Sequence, residues 1–161
     1  MPETETDETR PDRRSVLLVG LGILVTGGLA YREIWLAPDY AGKAFSVSEA
    51  YDLASAGHIL LIDIRRPDEW RDTGLPQGAL PIDMRSDDFT AALIKAAGTD
   101  LTKPIALICA RGVRSARLAN RLSQAGFINV VDVPEGMLGS SAGPGWLAAN
   151  LPVEPYTGDA Q

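Results

Sequence analysis

Ile105-Ala106-Leu107-Ile108-Cys109-Ala110-Arg111-Gly112-Val113-Arg114-Ser115-Ala116-Arg117-Leu118-Ala119-Asn120-Arg121 is the stretch whose reading decides the fold of this chain. An uncharged run from Ile105 to Ile108 ends in the only cysteine of the sequence. A short loop with Gly112 and two arginines follows, and a helical pattern begins at once. Strand, loop and helix in that order leave successive backbone N–H groups unpaired, turned into a concave nest at the helix N-terminus. A cysteine at the rim of such a nest, near Arg111 and Arg114, is expected to ionise more easily than a free thiol. Both the helix N-terminus and the neighbouring cations stabilise thiolate, which is the reactive form.

The charge pattern agrees. The 161-residue chain is acidic, with a net charge of −6, yet no Asp or Glu occurs between Asp100 and Asp132. Lys103, Arg111, Arg114, Arg117 and Arg121 all fall in that interval, and Arg114, Arg117 and Arg121 share one side of a helix. Cations beside a helix N-terminus are unfavourable unless an anion, thiolate or ligand, lies between them. Arg117 and Arg121 read equally well as a solvated face. The acidic balance gives no footprint for nucleic acid.

Cys109-Ala110-Arg111-Gly112-Val113-Arg114-Ser115 resembles the active-site loop of rhodanese-type sulfurtransferases, in which six residues wrap one sulfane sulfur. Phosphatases of the dual-specificity type carry five residues between Cys and Arg, whereas four separate Cys109 from Arg114 here. The count favours sulfur over phosphorus. The resemblance runs from about Phe45 to Val153. Ile62-Asp63-Ile64-Arg65 with Glu69-Trp70 is similar to the family's Asp-x-Arg segment and its Glu-aromatic pair. Gly74 to Ala79 stands where the family has Gly-His-Ile-Pro-Gly-Ala, with Leu75 and Gln77 in place of the histidine and second proline. Gly126 to Val130, Glu135-Gly136-Met137, Trp146 and Leu151-Pro152-Val153 match its closing pattern. The Leu138 to Gly145 stretch is longer than usual and is expected to reshape one wall of the site.

Strands alternating with helices imply a parallel sheet covered on both faces, a three-layer α/β sandwich. A helix follows a capping box at Ser46 and Glu49 and stops at Gly57. Ile59 to Ile64 is a doubly buried strand, and Pro67 opens a short helix. Gly78 to Ile82 is an edge strand because of Pro81. Phe89, Leu93, Ile94 and Ala97 mark one side of a helix closed by Gly98, with Asp87-Asp88 at its start. Ile105 to Ile108 is the central strand, Asn129 to Val133 another, and a last short helix is expected at 146–149. Cys109 then falls at the carboxyl end of a strand, where open α/β sheets place ligands.

Residues 43–155 form the domain, with residues 156–161 as a tail and residues 1–14, polar and free of apolar side chains after Met1, as a disordered leader. Between them, Arg13-Arg14 precedes the uncharged run Val16 to Tyr31. Two readings of 15–37 stay open. One is an export signal cut near Ala30, since Arg13-Arg14-Ser15 resembles a twin-arginine motif. The other is a hydrophobic helix reaching Ala37, a membrane anchor with Tyr31 and Trp35 at its interfaces. Both place the domain on the extracytoplasmic, periplasmic side. One cysteine admits no internal disulfide, and no resolving thiol exists in the chain.

The resemblance implies a two-step shuttle through Cys109. Its thiolate takes the outer sulfur of a small anionic donor such as thiosulfate, and sulfite leaves. The persulfide is stabilised by loop N–H groups of Ala110, Arg111, Gly112, Val113, Arg114 and Ser115, with Arg111 and Arg114 positioning the donor. An external thiol, cyanide or partner protein then removes the sulfur. No cofactor or metal is called for. Asp63 and Arg65, at the end of a neighbouring strand, read as support: they either bond the loop or pair with each other. His58 reads as a loop residue at the amino end of its strand, and Trp70 and Trp146 as core. Two other functions remain: a membrane-tethered sulfur carrier without turnover, and a phosphatase or arsenate-reductase relative.

Overall fold

The computed structural model describes residues 40–98 and 104–158. The leader and hydrophobic stretch at 1–37 lie outside these residues. Among the described residues no helix is long and apolar enough to cross a membrane.

Five strands form a parallel sheet in the order β1 (Lys43–Ala44), β6 (Val130–Val133), β5 (Ile105–Ile108), β2 (Leu60–Asp63) and β4 (Leu80–Pro81). β5 is the middle strand, and its four residues are all buried. Such a strand must be apolar on both faces, and Ile-Ala-Leu-Ile is. β4 lies at the sheet edge, where the missing N–H of Pro81 costs no ladder bond.

Helices α1 (Val47–Ser55), α2 (Pro67–Thr73), α3 (Phe89–Ala97) and α4 (Val113–Gln124) connect the strands. The capping box of α1 forms as read: Glu49 N–H donates to Ser46 Oγ at 3.3 Å, and Ser46 N–H donates to Glu49 Oε2 at 2.9 Å. Alternation along the strands sorts the core into two layers. Ile62, Ile105, Leu107 and Val130 face α3 and α4 with Phe89, Leu93, Leu118 and Ala119. Leu61, Ala106, Ile108, Val131 and Val133 face α1 and the closing segment with Val47, Ala50, Met137 and Trp146.

Two expectations are corrected. Residues 146–150 form hydrogen-bonded turns and no helix, with Ala149 N–H reaching Gly145 O at 2.9 Å. Ile94 is exposed, since only Phe89, Leu93 and Ala97 of α3 turn inward. Asp88 stands at the start of α3 as expected, with no side-chain cap bond. Beyond residue 155, Tyr156 packs edge-on against Trp70 at 5.0 Å between ring centres. One element had no signal in the sequence: an antiparallel ribbon of β3 (Leu75–Pro76) and β7 (Val153–Glu154). Two-residue strands carry no readable period. The ribbon accounts for Leu75, which is 7% exposed on this inner strand where an apolar side chain is the fitting one.

Candidate active site

β5 delivers Cys109 to the sheet's carboxyl edge, and α4 begins four residues later at Val113. The first intrahelical bond of α4 runs from Ala116 N–H to Gly112 O at 3.0 Å. None of the N–H groups of residues 110–115 donates to an acceptor among the described residues. These are the open donors of a helix start, gathered into one loop.

Two contacts define the back of the loop. Met137 N–H donates to Cys109 O and Leu138 N–H to Ala110 O, both at 2.9 Å. Gly112 takes φ 82° and lies so close to Pro134 that a Cβ there would run into the Pro134 carbonyl. Gly136 is equally tight, with Ala110 backbone atoms 2.6 Å from where its Cβ would stand. The 134–145 segment thus braces the loop from behind. Glu135 braces that segment in turn: its buried carboxylate accepts from Val47 N–H and from Gly145 N–H, each at 3.1 Å.

Cys109 sits on the floor of the loop and not at its rim, as expected from sequence, with 1% of its surface exposed. The reason is alternation, since Cys109 continues the inward face of Ile105 and Leu107 and joins their core cluster. Its Sγ lies 3.5 Å from Ser115 Oγ, and Ser115 Oγ donates to Gly112 O at 3.0 Å. Ser115 is fully buried, Ala110, Val113 and Arg114 are half-buried, and Arg111 is exposed.

The two arginines divide. Arg114 grips Glu69 of α2 with two bonds, Nη1 to Oε2 at 2.8 Å and Nη2 to Oε1 at 2.6 Å, and keeps 31% of its side chain exposed. The Glu69 hydrogen bond raises the Arg114 pKa, burial opposes it, and the charge of Cys109 adds to the rise. Glu69 is held below the usual carboxylate range, chiefly by that same bond. Arg111 is exposed, donating from Nη1 to Gly139 O at 3.2 Å. The long 138–145 stretch therefore meets the loop at this cation.

Asp63 and Arg65 pair with each other, Nη2 to Oδ2 at 2.7 Å, with 0% and 1% of their side chains exposed. Asp63 alternates with Ile62 and Ile64, so it points to the sheet face opposite Cys109 and does not reach the loop. Arg65 also donates to Thr73 Oγ1 and Gly74 O, both at 2.7 Å. The pair anchors α2, and α2 carries Glu69. Burial pushes the Asp63 carboxyl up, with Arg65 opposing.

His58 is exposed at the amino end of β2, away from Cys109. A cleft of about 680 Å³ opens at that same end, lined by His58, Pro104, Phe127 and Asn129 among others, and holds no loop residue. Size alone does not make it the reactive centre. Trp70 and Trp146 are core residues, 3% and 0% exposed. Sequence reasoning gave no role to Glu69 or to Glu135. An acidic residue opposite a loop with no acidic residue of its own was the available signal for Glu69, whereas Glu135 stood out only as part of the closing pattern.

A cysteine loop of this length, between a central parallel strand and a helix start, agrees with the sequence model of the rhodanese-like domain, which matches residues 46–142. The chain belongs to the rhodanese-like domain family. An uncharacterized protein of Rickettsia conorii is 27% identical over 116 residues, spanning 65% of this chain and 91% of that protein. Among solved structures, the polysulfide-sulfur transferase homodimer of Wolinella succinogenes superposes with a TM-score of 0.59 at 25% identity, covering 88% of this chain and 96% of that one. A rhodanese-like domain from Anabaena sp. superposes at 0.56 and 16% identity, covering 74% and 84%, and so shows the shared rhodanese fold.

Proposed function

We propose that the protein is a sulfurtransferase that carries a sulfane sulfur on Cys109. The observation that carries this reading is the set of unpaired N–H groups at residues 110–115 around a single buried thiol. The thiolate attacks the outer sulfur of thiosulfate, the S–S bond of the donor breaks, and sulfite leaves with the bonding pair. The product is a Cys109 persulfide anion, whose charge the loop N–H groups receive. An acceptor such as cyanide or a small thiol then attacks the outer sulfur, and Cys109 departs as thiolate. The transferase name of the Wolinella protein supports the same class of chemistry.

A floor position suits this step. A single outer sulfur fits where a bulky group does not, and the exposed Arg111 cation of the same loop is the group to meet the charged remainder of the donor. The loop, with four residues between Cys109 and Arg114, disfavours phosphate as substrate. We also propose that residues 15–37 export or anchor the domain, which rests on the charge and hydropathy pattern of that stretch.

The test is turnover. The domain supplied with thiosulfate and cyanide is expected to release thiocyanate, and Cys109→Ser to release none. Persulfide formation without turnover would leave the tethered-carrier reading in its place. Hydrolysis of an aryl phosphate dependent on Cys109 would overturn the sulfur reading.

A further inference from the structure

The carboxyl end of β6 holds a buried acid that the sulfur chemistry above does not use. Asp132 is 4% exposed and sits in register with Leu107, two residues before Cys109. Val131 and Val133 face the α1 layer, so Asp132 turns with Val130 to the α4 layer, the same side as Cys109. Its Oδ1 has no hydrogen-bond partner among the described residues. The Ser115 hydroxyl and the Val133 N–H are the groups near enough to favour its charge, and burial outweighs both, holding its pKa up to about 6.

Ser115 lies close to both the Asp132 carboxyl and the sulfur. Its Oγ is 3.5 Å from Cys109 Sγ and 3.0 Å from Gly112 O. A serine hydroxyl has one proton to give. The sulfur, the Gly112 carbonyl and the Asp132 carboxyl compete for it.

We propose that Asp132 is a positioning residue that sets the ionisation of Cys109 through the Ser115 hydroxyl. An ionised Asp132 draws the Ser115 proton, so that the sulfur faces oxygen lone pairs with a negative charge behind them. Both effects oppose thiolate. A protonated Asp132 donates to Ser115 Oγ instead, and the Ser115 proton becomes available to the sulfur. In the coupled step Ser115 gives its proton to Asp132 and takes the one leaving Sγ, so a neutral thiol and a carboxylate become a thiolate and a carboxylic acid. The two groups titrate as a pair.

Other charges around this pair are already engaged. On α4, Arg114 is bound to Glu69 of α2. On β2, Asp63 and Arg65 hold each other. Lys43 of β1 lies over the Phe45 ring, Arg111 bonds Gly139 O, and Glu135 accepts from Val47 and Gly145 N–H groups.

The proposal rests on Cys109 being the reacting thiol, but its test reads ionisation and not sulfur transfer. With one cysteine in the chain, ultraviolet thiolate absorbance minus that of Cys109→Ser reports this sulfur alone. Asp132→Asn is expected to give a one-proton curve with its midpoint lowered by about one pH unit. Ser115→Ala is expected to shrink the response to Asp132→Asn by half or more, and an undiminished response would overturn the route through Ser115. An unshifted Asp132→Asn midpoint overturns the coupling. Asp132→Ser removes the same charge with a smaller side chain, and its unshifted midpoint overturns the coupling where Asp132→Asn does not fold. Failure to load sulfur would leave this result standing and defeat only the transferase reading.

Discussion

Arg65→Met removes the cation that anchors α2 and leaves Asp63 buried without its partner. In the native fold Nε of Arg65 lies 3.0 Å from both Asp63 oxygens, and Nη2 lies 2.7 Å from Oδ2. The same guanidinium serves Thr73 Oγ1, Gly74 O and Glu69 O. Breaking a buried pair by deleting one member costs about 3–5 kcal/mol. With a urea m-value of about 2 kcal/mol/M, the unfolding midpoint falls by roughly 2 M. Arg65→Lys keeps the charge but cannot fork, and should lose about half as much. The loss should depend on pH in one direction. Burial already raises the Asp63 pKa with Arg65 opposing, so without Arg65 the rise grows. A folded state that binds the extra proton loses stability as pH rises. The difference from wild type should therefore be larger at pH 8 than at pH 5. Urea titrations at both pH values check this. A loss within about 1 kcal/mol of zero at pH 8 would refute the claim that this pair holds α2.

Gly112→Ala places a side chain at φ 82° and against the Pro134 carbonyl; it should cost at least about 2 kcal/mol and abolish sulfur loading, read by thermal melts and mass spectrometry. Arg111→Ala, which removes the exposed cation of the loop, should raise the KM for thiosulfate about tenfold with little change in kcat, measured as initial rates of thiocyanate release. Asp132 has its pKa raised from 3.8 to about 6, so the folded state binds more protons than the unfolded one between those values. Stability should fall as pH rises through that window, by about 3 kcal/mol for roughly two units. Asp132→Asn should thus gain on wild type at pH 8 and lose the gain below pH 4 in urea unfolding, and a pH-independent difference would contradict this.

The fold was legible where the physics is local or strictly periodic. The uncharged run before Cys109 is the middle strand because only a doubly covered strand needs four apolar residues in a row. The Ser46 cap and the Pro67 start are single-residue signals, and both elements begin as read. The β3–β7 ribbon was illegible because it joins residues far apart in sequence through strands too short to show alternation. Residues 146–150 carry helix-forming side chains, yet the fold there spends its hydrogen bonds on consecutive turns, with Trp146 N–H on Gly136 O at 3.0 Å.

In the candidate site, residue identity was legible and pairing was not. Cys109, Arg111 and Arg114 stood out by type and spacing. That Arg114 would be claimed by Glu69, from a helix 45 residues earlier, is a tertiary fact no local pattern carries. The depth of Cys109 was available in principle, since it shares the parity of Ile105 and Leu107 along the strand.

The most direct measurement is the intact mass of the protein after incubation with thiosulfate. The account predicts a gain of one sulfur atom on the wild type, lost again on adding cyanide, and no gain on Cys109→Ser. An unchanged wild-type mass, or the same gain on Cys109→Ser, would contradict it.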